Sequence, residues 1–239
     1  MPTLALDTSS GIAVAIVGQD GPLAAARLDS DRQHAERLSP LIASALADAR
    51  LRPADIDRVV VGTGPAPFTG LRAGLVAART FAYARGIPVF GVCSLDAVAL
   101  SAAEQLTLPV GTRLLVLSDA RRKEVYARRY RIEQSDDAPL GAIPIDAGRS
   151  FARAGEPWVS RPAEISFEDE SSYVVASPTP IGVLSGSGIG TDRSDLGVDP
   201  ALLVRVADAD LAAGADLPAD PLYLRRPDAQ VPGPAKKAG

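Results

Sequence analysis

The chain has 239 residues, of which 46 % are apolar and 23 % charged, with a net charge of −4. That balance excludes a disordered or fibrous chain and leaves room for one large domain or two small ones. The single cysteine, Cys93, rules out an intrachain disulfide. The single histidine, His34, rules out a His/Cys-rich zinc site, and the acidic balance argues against tight, sequence-blind nucleic-acid binding by this chain alone.

The first 30 residues read as three strands. Leu4-Ala5-Leu6 runs into the turn cluster Asp7-Thr8-Ser9-Ser10-Gly11. Ile12 to Val17 follows, and after Gln19-Asp20-Gly21-Pro22 comes Leu23 to Leu28. Short polar turns between consecutive strands make an antiparallel meander. Leu38, Leu41, Ile42, Ala45, Leu46 and Ala49 then recur at spacings of three and four, which predicts an amphipathic helix capped by Asp29-Ser30-Asp31. Val59 to Gly62 is the pattern of a strand buried on both faces. The turn Thr63-Gly64-Pro65-Ala66-Pro67 leads to a second helix from Phe68 to Ala84, then a buried strand Val89 to Val92 and a helix Ser94 to Glu104. Strand and helix alternating after a meander predict an α/β protein with a mixed sheet.

The pattern restarts near Thr107. Leu114 to Leu117 reads as a buried strand ending in Ser118-Asp119, and Glu124 to Ile132 as its partner, so a second unit echoes the first. Residues 133–172 carry little pattern. Val174 to Ala176 and Val183-Leu184 read as short strands and Leu202 to Leu211 as a helix. Residues 230–239, rich in Pro, Gly, Ala and Lys, read as a disordered tail. No apolar run reaches the roughly 20 residues of a membrane span. The N-terminus does not read as a signal peptide, so the expected location is cytoplasmic.

Four stretches could carry chemistry. Asp7-Thr8-Ser9-Ser10-Gly11 is either a turn that holds a phosphate or a hydrated Mg²⁺, or an ordinary Asx/ST turn. The Gly64-Pro65 turn into Phe68-Thr69-Gly70-Leu71-Arg72 either aims N–H groups at an anion or packs a helix on its own sheet. Gly70 and Gly74, with Ala73, Ala77 and Ala78 nearby, give that helix a small-residue face. Arg32 to Leu38 is a charged run around His34, either a solvated surface or a partner contact. Asp119-Ala120-Arg121-Arg122-Lys123-Glu124 is a solvated turn or an anion contact. Spacing alone assembles no catalytic constellation.

Taken together, these stretches resemble the TsaB (YeaZ) family. The carrying residues, in the family's order, are Leu6-Asp7-Thr8-Ser9, Arg32-Gln33-His34-Ala35-Glu36-Arg37-Leu38 and Gly64-Pro65-Ala66-Pro67-Phe68-Thr69-Gly70-Leu71-Arg72. Further on stand Gly91-Val92-Cys93-Ser94-Leu95-Asp96-Ala97, Asp119-Ala120-Arg121-Arg122-Lys123-Glu124-Val125-Tyr126 and Pro221-Leu222-Tyr223-Leu224-Arg225. The resemblance implies a two-subdomain actin-like (ASKHA, ribonuclease H-like) fold of mixed sheets with flanking helices. Its expected subdomains are 1–106 and 107–211, with 212–229 packing back on the first.

It also implies a non-catalytic subunit of the machinery that makes N6-threonylcarbamoyladenosine at position 37 of tRNAs reading ANN codons. The expected partners are a catalytic TsaD-type paralogue and a TsaE-type ATPase, with threonylcarbamoyl-AMP from a TsaC-type enzyme. A homodimer could form when the paralogue is absent, and tRNA would be reached only through the complex. The implied interface comprises His34, Glu36, Arg37, Leu38, Leu41, Phe68, Thr69, Gly70, Arg72, Ala73, Gly74 and Ala77. The implied vestigial nucleotide site comprises Asp7, Thr8, Ser9, Gly64 and Pro65. This chain would require no cofactor of its own, with ATP or ADP entering in the assembled complex.

The paralogue's metal site uses two histidines of an Asn-His-Leu-Glu-Gly-His pattern. The matching positions here hold Ser94 and Val98, neither of which replaces imidazole. The family's usual Gly-Pro-Gly reads Gly64-Pro65-Ala66 here, which is expected to strain Ala66 if that position has positive φ. The competing reading is an independent actin-like ATPase or small-molecule kinase with Asp119 as a second acid; a peptidase is opposed by the missing ligands and triad.

Overall fold

A computed structural model describes residues 1–28, 34–166, 173–178, 192–193 and 196–225. The chain opens as the predicted meander of β1 (Thr3–Asp7), β2 (Ile12–Gly18) and β3 (Gly21–Leu28). α1 (His34–Asp48) crosses to β4 (Arg58–Gly62), and α2 (Phe68–Arg85) to β5 (Val89–Val92). β4 lies parallel to β1 and β5 parallel to β4, giving a sheet in the order β3-β2-β1-β4-β5. α3 (Ser94–Gln105) follows.

The second sheet holds β6 (Arg113–Asp119), β7 (Val125–Gln134), β8 (Ile143–Pro144), β9 (Arg149–Arg153), β10 (Trp158–Ser160), β11 (Tyr173–Ala176) and β12 (Asp192–Arg193). Along β9-β7-β6-β11-β12 the order and the strand directions repeat those of β3-β2-β1-β4-β5. The echo in the sequence is therefore a duplicated topology. The stretch 133–166, patternless in the sequence, supplies β8, β9, β10 and two 3-10 turns; β8 and β10 are two and three residues long, too short for an alternation to register. The expected caps at Asp29 to Asp31, the strand at Val183-Leu184 and the tail 230–239 lie outside the described residues.

Alternation along the strands sorts the core into layers. Leu4, Leu6, Val14, Ile16, Val59 and Val61 turn to one face of the first sheet and pack with Leu38, Ile42 and Leu46 of α1 and with Leu71, Leu75 and Ala78 of α2. Ala5, Ala15, Val17 and Val60 turn to the other face, where α3 and α4 (Pro200–Ala212) separate the two sheets. The alanines there let α4 come close. Leu114, Val116, Tyr130, Ile132 and Phe151 of the second sheet close this middle layer from the opposite side. α4 is capped by Asp199, whose side chain accepts from the Ala201 N–H at 2.9 Å. Grouped by the sequence reading with the second unit, α4 packs chiefly on β1, β2, β4 and β5. Beyond it the chain returns to the first sheet: the Gly91 N–H donates to the Leu217 carbonyl and the Leu222 N–H to that of Thr63, both at 2.9 Å.

Candidate functional site

The β1–β2 turn and the β4–α2 turn meet at the N-terminus of α3. Asp7, at the end of β1, is 2 % exposed. Its Oδ1 accepts from the Ser9 N–H at 2.8 Å and from Ser9 Oγ at 2.6 Å, and its Oδ2 from Ser94 Oγ at 2.5 Å. Ser94 Oγ accepts in turn from the Gly64 N–H at 3.2 Å, while the Ser94 N–H donates to the Gly64 carbonyl at 2.8 Å. Asp7 comes this close only because Gly62 has no side chain: a Cβ there would lie 1.9 Å from Oδ2.

Asp7, Ser9, Gly64 and Pro65 thus converge, as their motifs imply, but they bind one another. They do not fit a nucleotide phosphate. Both carboxylate oxygens are engaged, as is the Gly64 N–H, Pro65 has no N–H, and no lysine stands between Thr63 and Arg79. Thr8 differs, since its Oγ1 is buried without a hydrogen-bond partner among the described residues.

Two expectations are corrected here. Gly74 is not on the open face of α2. It is buried in α2 against the β1–β2 turn, and a Cβ on it would stand 2.3 Å from Thr8 Oγ1. The positive φ of the turn belongs to Gly64, at 86°, and Ala66 is not among the described residues with positive φ, so it is unstrained. Asp119, equivalent to Asp7 in the duplicated sheet, is exposed and accepts from the Arg121 N–H at 2.7 Å.

Between α1 and α2 runs an open groove of about 1320 Å³, lined mainly by apolar groups. Of the residues implied for an interface, Glu36, Arg37, Phe68, Thr69 and Arg72 are exposed, and Leu41, Gly70, Ala73 and Ala77 half-buried. Leu38 is 1 % exposed and serves the core, forming only the floor. The side chain of His34 lies outside the described residues. Val76, Thr80 and Phe81 also line the groove. The i, i+4 series from Phe68 through Arg72 to Val76 and Thr80 was the signal that could have found most of this wall.

Comparison with known proteins supplies the family. The family model for TsaD, tRNA N6-adenosine threonylcarbamoyltransferase, matches residues 28–193. A Mycobacterium tuberculosis protein, Rv3421c, is 42 % identical over 206 residues, which is 83 % of this chain and 78 % of that one. The tRNA threonylcarbamoyladenosine biosynthesis protein TsaB of Bacillus subtilis is 32 % identical over 134 residues, 55 % of this chain and 56 % of its own. The solved structure of YeaZ from Pseudomonas aeruginosa superposes with a TM-score of 0.74 at 25 % identity, over 93 % of this chain and 99 % of that one. The chain belongs to the TsaD family, in its TsaB (YeaZ) branch. Its fold is the two-domain actin-like one.

In this TsaB-type chain the positions matched to the paralogue's histidines are closed. Ser94 is 1 % and Val98 0 % exposed, and Ser94 is tied to Asp7. Among the described residues no group of three His, Cys, Asp or Glu could hold a metal. In the first turn of α3, Asp96 is the centre of a buried ionic network. It accepts from Arg128 Nη1 at 3.0 Å, the Tyr130 hydroxyl at 2.8 Å and Arg153 Nε at 2.8 Å. Arg153 also grips Asp210 of α4 through two bonds of 2.7 Å. Burial works against the charge on Arg153, but the two carboxylates outweigh it and hold its pKa above the ordinary value. Burial, with Asp96 beside it, drives the Tyr130 hydroxyl well above its usual range, so the phenol stays a donor.

Cys93, just before α3, is pushed up to about 12 by burial and then by the Asp96 charge. Its folded pKa exceeds the ordinary value of 9.0, so its contribution to stability is full below that pH and is lost as pH rises towards about 12. Alkylation by iodoacetamide at pH 8 is expected to be at least about tenfold slower in the native protein than in urea. Equal rates in the two states would contradict this burial of the thiol.

Proposed function

We propose that this chain is the non-catalytic TsaB-type subunit of a complex that transfers a threonylcarbamoyl group to adenosine 37 of tRNAs reading ANN codons. In this reading the α1–α2 groove receives a TsaD-type paralogue, which carries the chemistry. A TsaE-type ATPase acts on the pair, and a TsaC-type enzyme supplies threonylcarbamoyl-AMP. The observation that carries the reading is the contrast between two places. The apolar groove is open, whereas at its edge Asp7, Ser9, Ser94 and Gly64 are closed on one another. An open apolar groove between two helices is the kind of surface that a partner chain covers. The chain needs no nucleotide of its own in this reading, and tRNA is reached through the assembled complex.

The test mixes the purified chain with its cognate TsaD-type paralogue and follows mass by size exclusion with light scattering. Modification of tRNA is then measured with TsaC-type and TsaE-type activities supplied. A heterodimer active only when both subunits are present is expected. Steady ATP turnover by this chain alone, without association, would overturn the reading. Val76, 63 % exposed on the groove wall, offers a sharper probe. Val76→Glu is expected to leave the melting temperature unchanged while weakening association by about a hundredfold, because it puts a charge into the apolar wall that the partner covers in this reading.

A further inference from the structure

Phe68, Arg72 and Tyr223 form a stack at the N-terminal end of α2, on the rim of the groove. The two rings lie 5.2 Å apart at 25°. The Arg72 guanidinium sits 3.5 Å from the Phe68 ring centroid, and its Nε donates to the Tyr223 hydroxyl at 2.6 Å. Tyr223 comes from the far end of the chain. It is held there by the Leu222 N–H on the Thr63 carbonyl at 2.9 Å and by the Arg225–Glu124 ion pair at 3.0 Å. Nearby guanidinium groups have carboxylates of their own: Arg79 pairs with Asp220 and Arg52 with Asp55. No carboxylate among the described residues pairs with Arg72.

Three physical points give this stack a role. An arginine laid flat on an aromatic ring and pinned through Nε has given up its rotamer freedom before any partner arrives, which removes a main cost of binding. Its planar fork matches a carboxylate in two-point geometry, as an ammonium does not. Tyrosine and arginine at the edge of an apolar patch are the residue types that dominate interface energetics.

We propose that Arg72, aimed by Tyr223, is the anchor for an Asp or Glu carboxylate on the partner chain that fills the α1–α2 groove. The returning segment 217–225 is then part of the docking surface, and Tyr223 is a positioning residue within it. This rests on the partner reading above and adds what the partner must bring: an acid beside an apolar helical face. Among the described residues Arg52, Arg72 and Arg121 line the groove with Glu36, and because Arg52 is paired with Asp55 and Arg121 with Asp119, Arg72 is the cation that an acidic occupant meets.

The test titrates the cognate TsaD-type paralogue with wild type, Arg72→Gln, Arg72→Glu and Tyr223→Ala at low and high salt. All four are expected to melt alike. Arg72→Glu is expected to weaken binding by about a hundredfold, and Arg72→Gln and Tyr223→Ala by about tenfold. The salt dependence of wild-type affinity should flatten in Arg72→Gln, a change that lost packing alone would not produce. Wild-type binding that Arg72→Glu and Tyr223→Ala leave within twofold overturns the anchor and spares the partner reading. A folded wild type that does not bind overturns the partner reading itself. If that chain instead self-associates and Arg72→Glu abolishes it, the occupant is a second copy and the choice made here is wrong.

Discussion

Gly62→Ala is expected to cost about 4 kcal/mol of stability, from a single methyl group. The added carbon would stand 1.9 Å from Asp7 Oδ2, 2.7 Å from Ser94 Oγ and 2.9 Å from Asp7 Cγ. None of these is the loose end of a flexible side chain. Asp7 is short, buried and held by three donors, and Ser94 begins a helix enclosed between the sheets. Relaxation therefore has to break the Ser94–Asp7 bond. A lost hydrogen bond to a buried charge is worth about 1.5–3 kcal/mol, and the overpacking about 1–3 more. For a chain of this size that lowers the melting midpoint by roughly 8–16 °C. A drop below about 2 °C would show that the turns are not locked through Asp7. The penalty should shrink in an Asp7→Ala background, where the colliding atoms are gone, and a double-mutant cycle reads that coupling directly.

Asp96→Ala should be comparably damaging for a different reason. It removes one carboxylate and strands three donors. The Arg128 side chain is 9 % exposed, and the Tyr130 hydroxyl has Asp96 as its acceptor. Breaking a buried ion pair from one side costs about 3–5 kcal/mol, because the surviving charge stays desolvated. Arg153 keeps Asp210, so the loss falls mainly on Arg128 and Tyr130. Urea unfolding should show a lower midpoint with an unchanged slope, the mark of lost stability rather than an altered unfolded state. Asp96→Asn, which keeps the shape and an acceptor, should lose less. An Asp96→Ala midpoint equal to wild type would mean that the network contributes nothing net.

How much of this was legible in the sequence differs by element. β1, β4, β6 and α1 to α4 announced themselves because each is long or apolar enough to show its period. β9 did not: Arg149-Ser150-Phe151-Ala152-Arg153 places arginines on the face that turns inward, where Asp146 meets Arg149 locally but Arg153 is tolerable only through Asp96 and Asp210, both distant in sequence. The groove was half legible. The small residues of α2 were visible, but helical spacing could not say that Gly74 turns towards Thr8 while Ala73 and Ala77 turn outward. The convergence of Asp7 and Gly64 followed from the family motifs, whereas their engagement by Ser9 and Ser94 did not. That depends on a register between β1, β4 and α3 which exists only in three dimensions. Tyr223 stood in a quoted motif, yet nothing local told it apart from a surface tyrosine.

The chain's return to its first sheet bears on how it is made. α4 covers the inner face of β1, β2 and β4, and the carbonyl that receives the Gly91 N–H belongs to Leu217. While the ribosome is still translating the second sheet, the first has neither. Ala5, Ala15, Val17 and Val60 wait without α4, although the first five strands left the exit tunnel long before. Multidomain chains commonly finish their N-terminal unit first. Here the unit that starts first finishes last, and an aborted nascent chain ending before residue 200 would present an uncovered apolar sheet to the chaperones that police such surfaces.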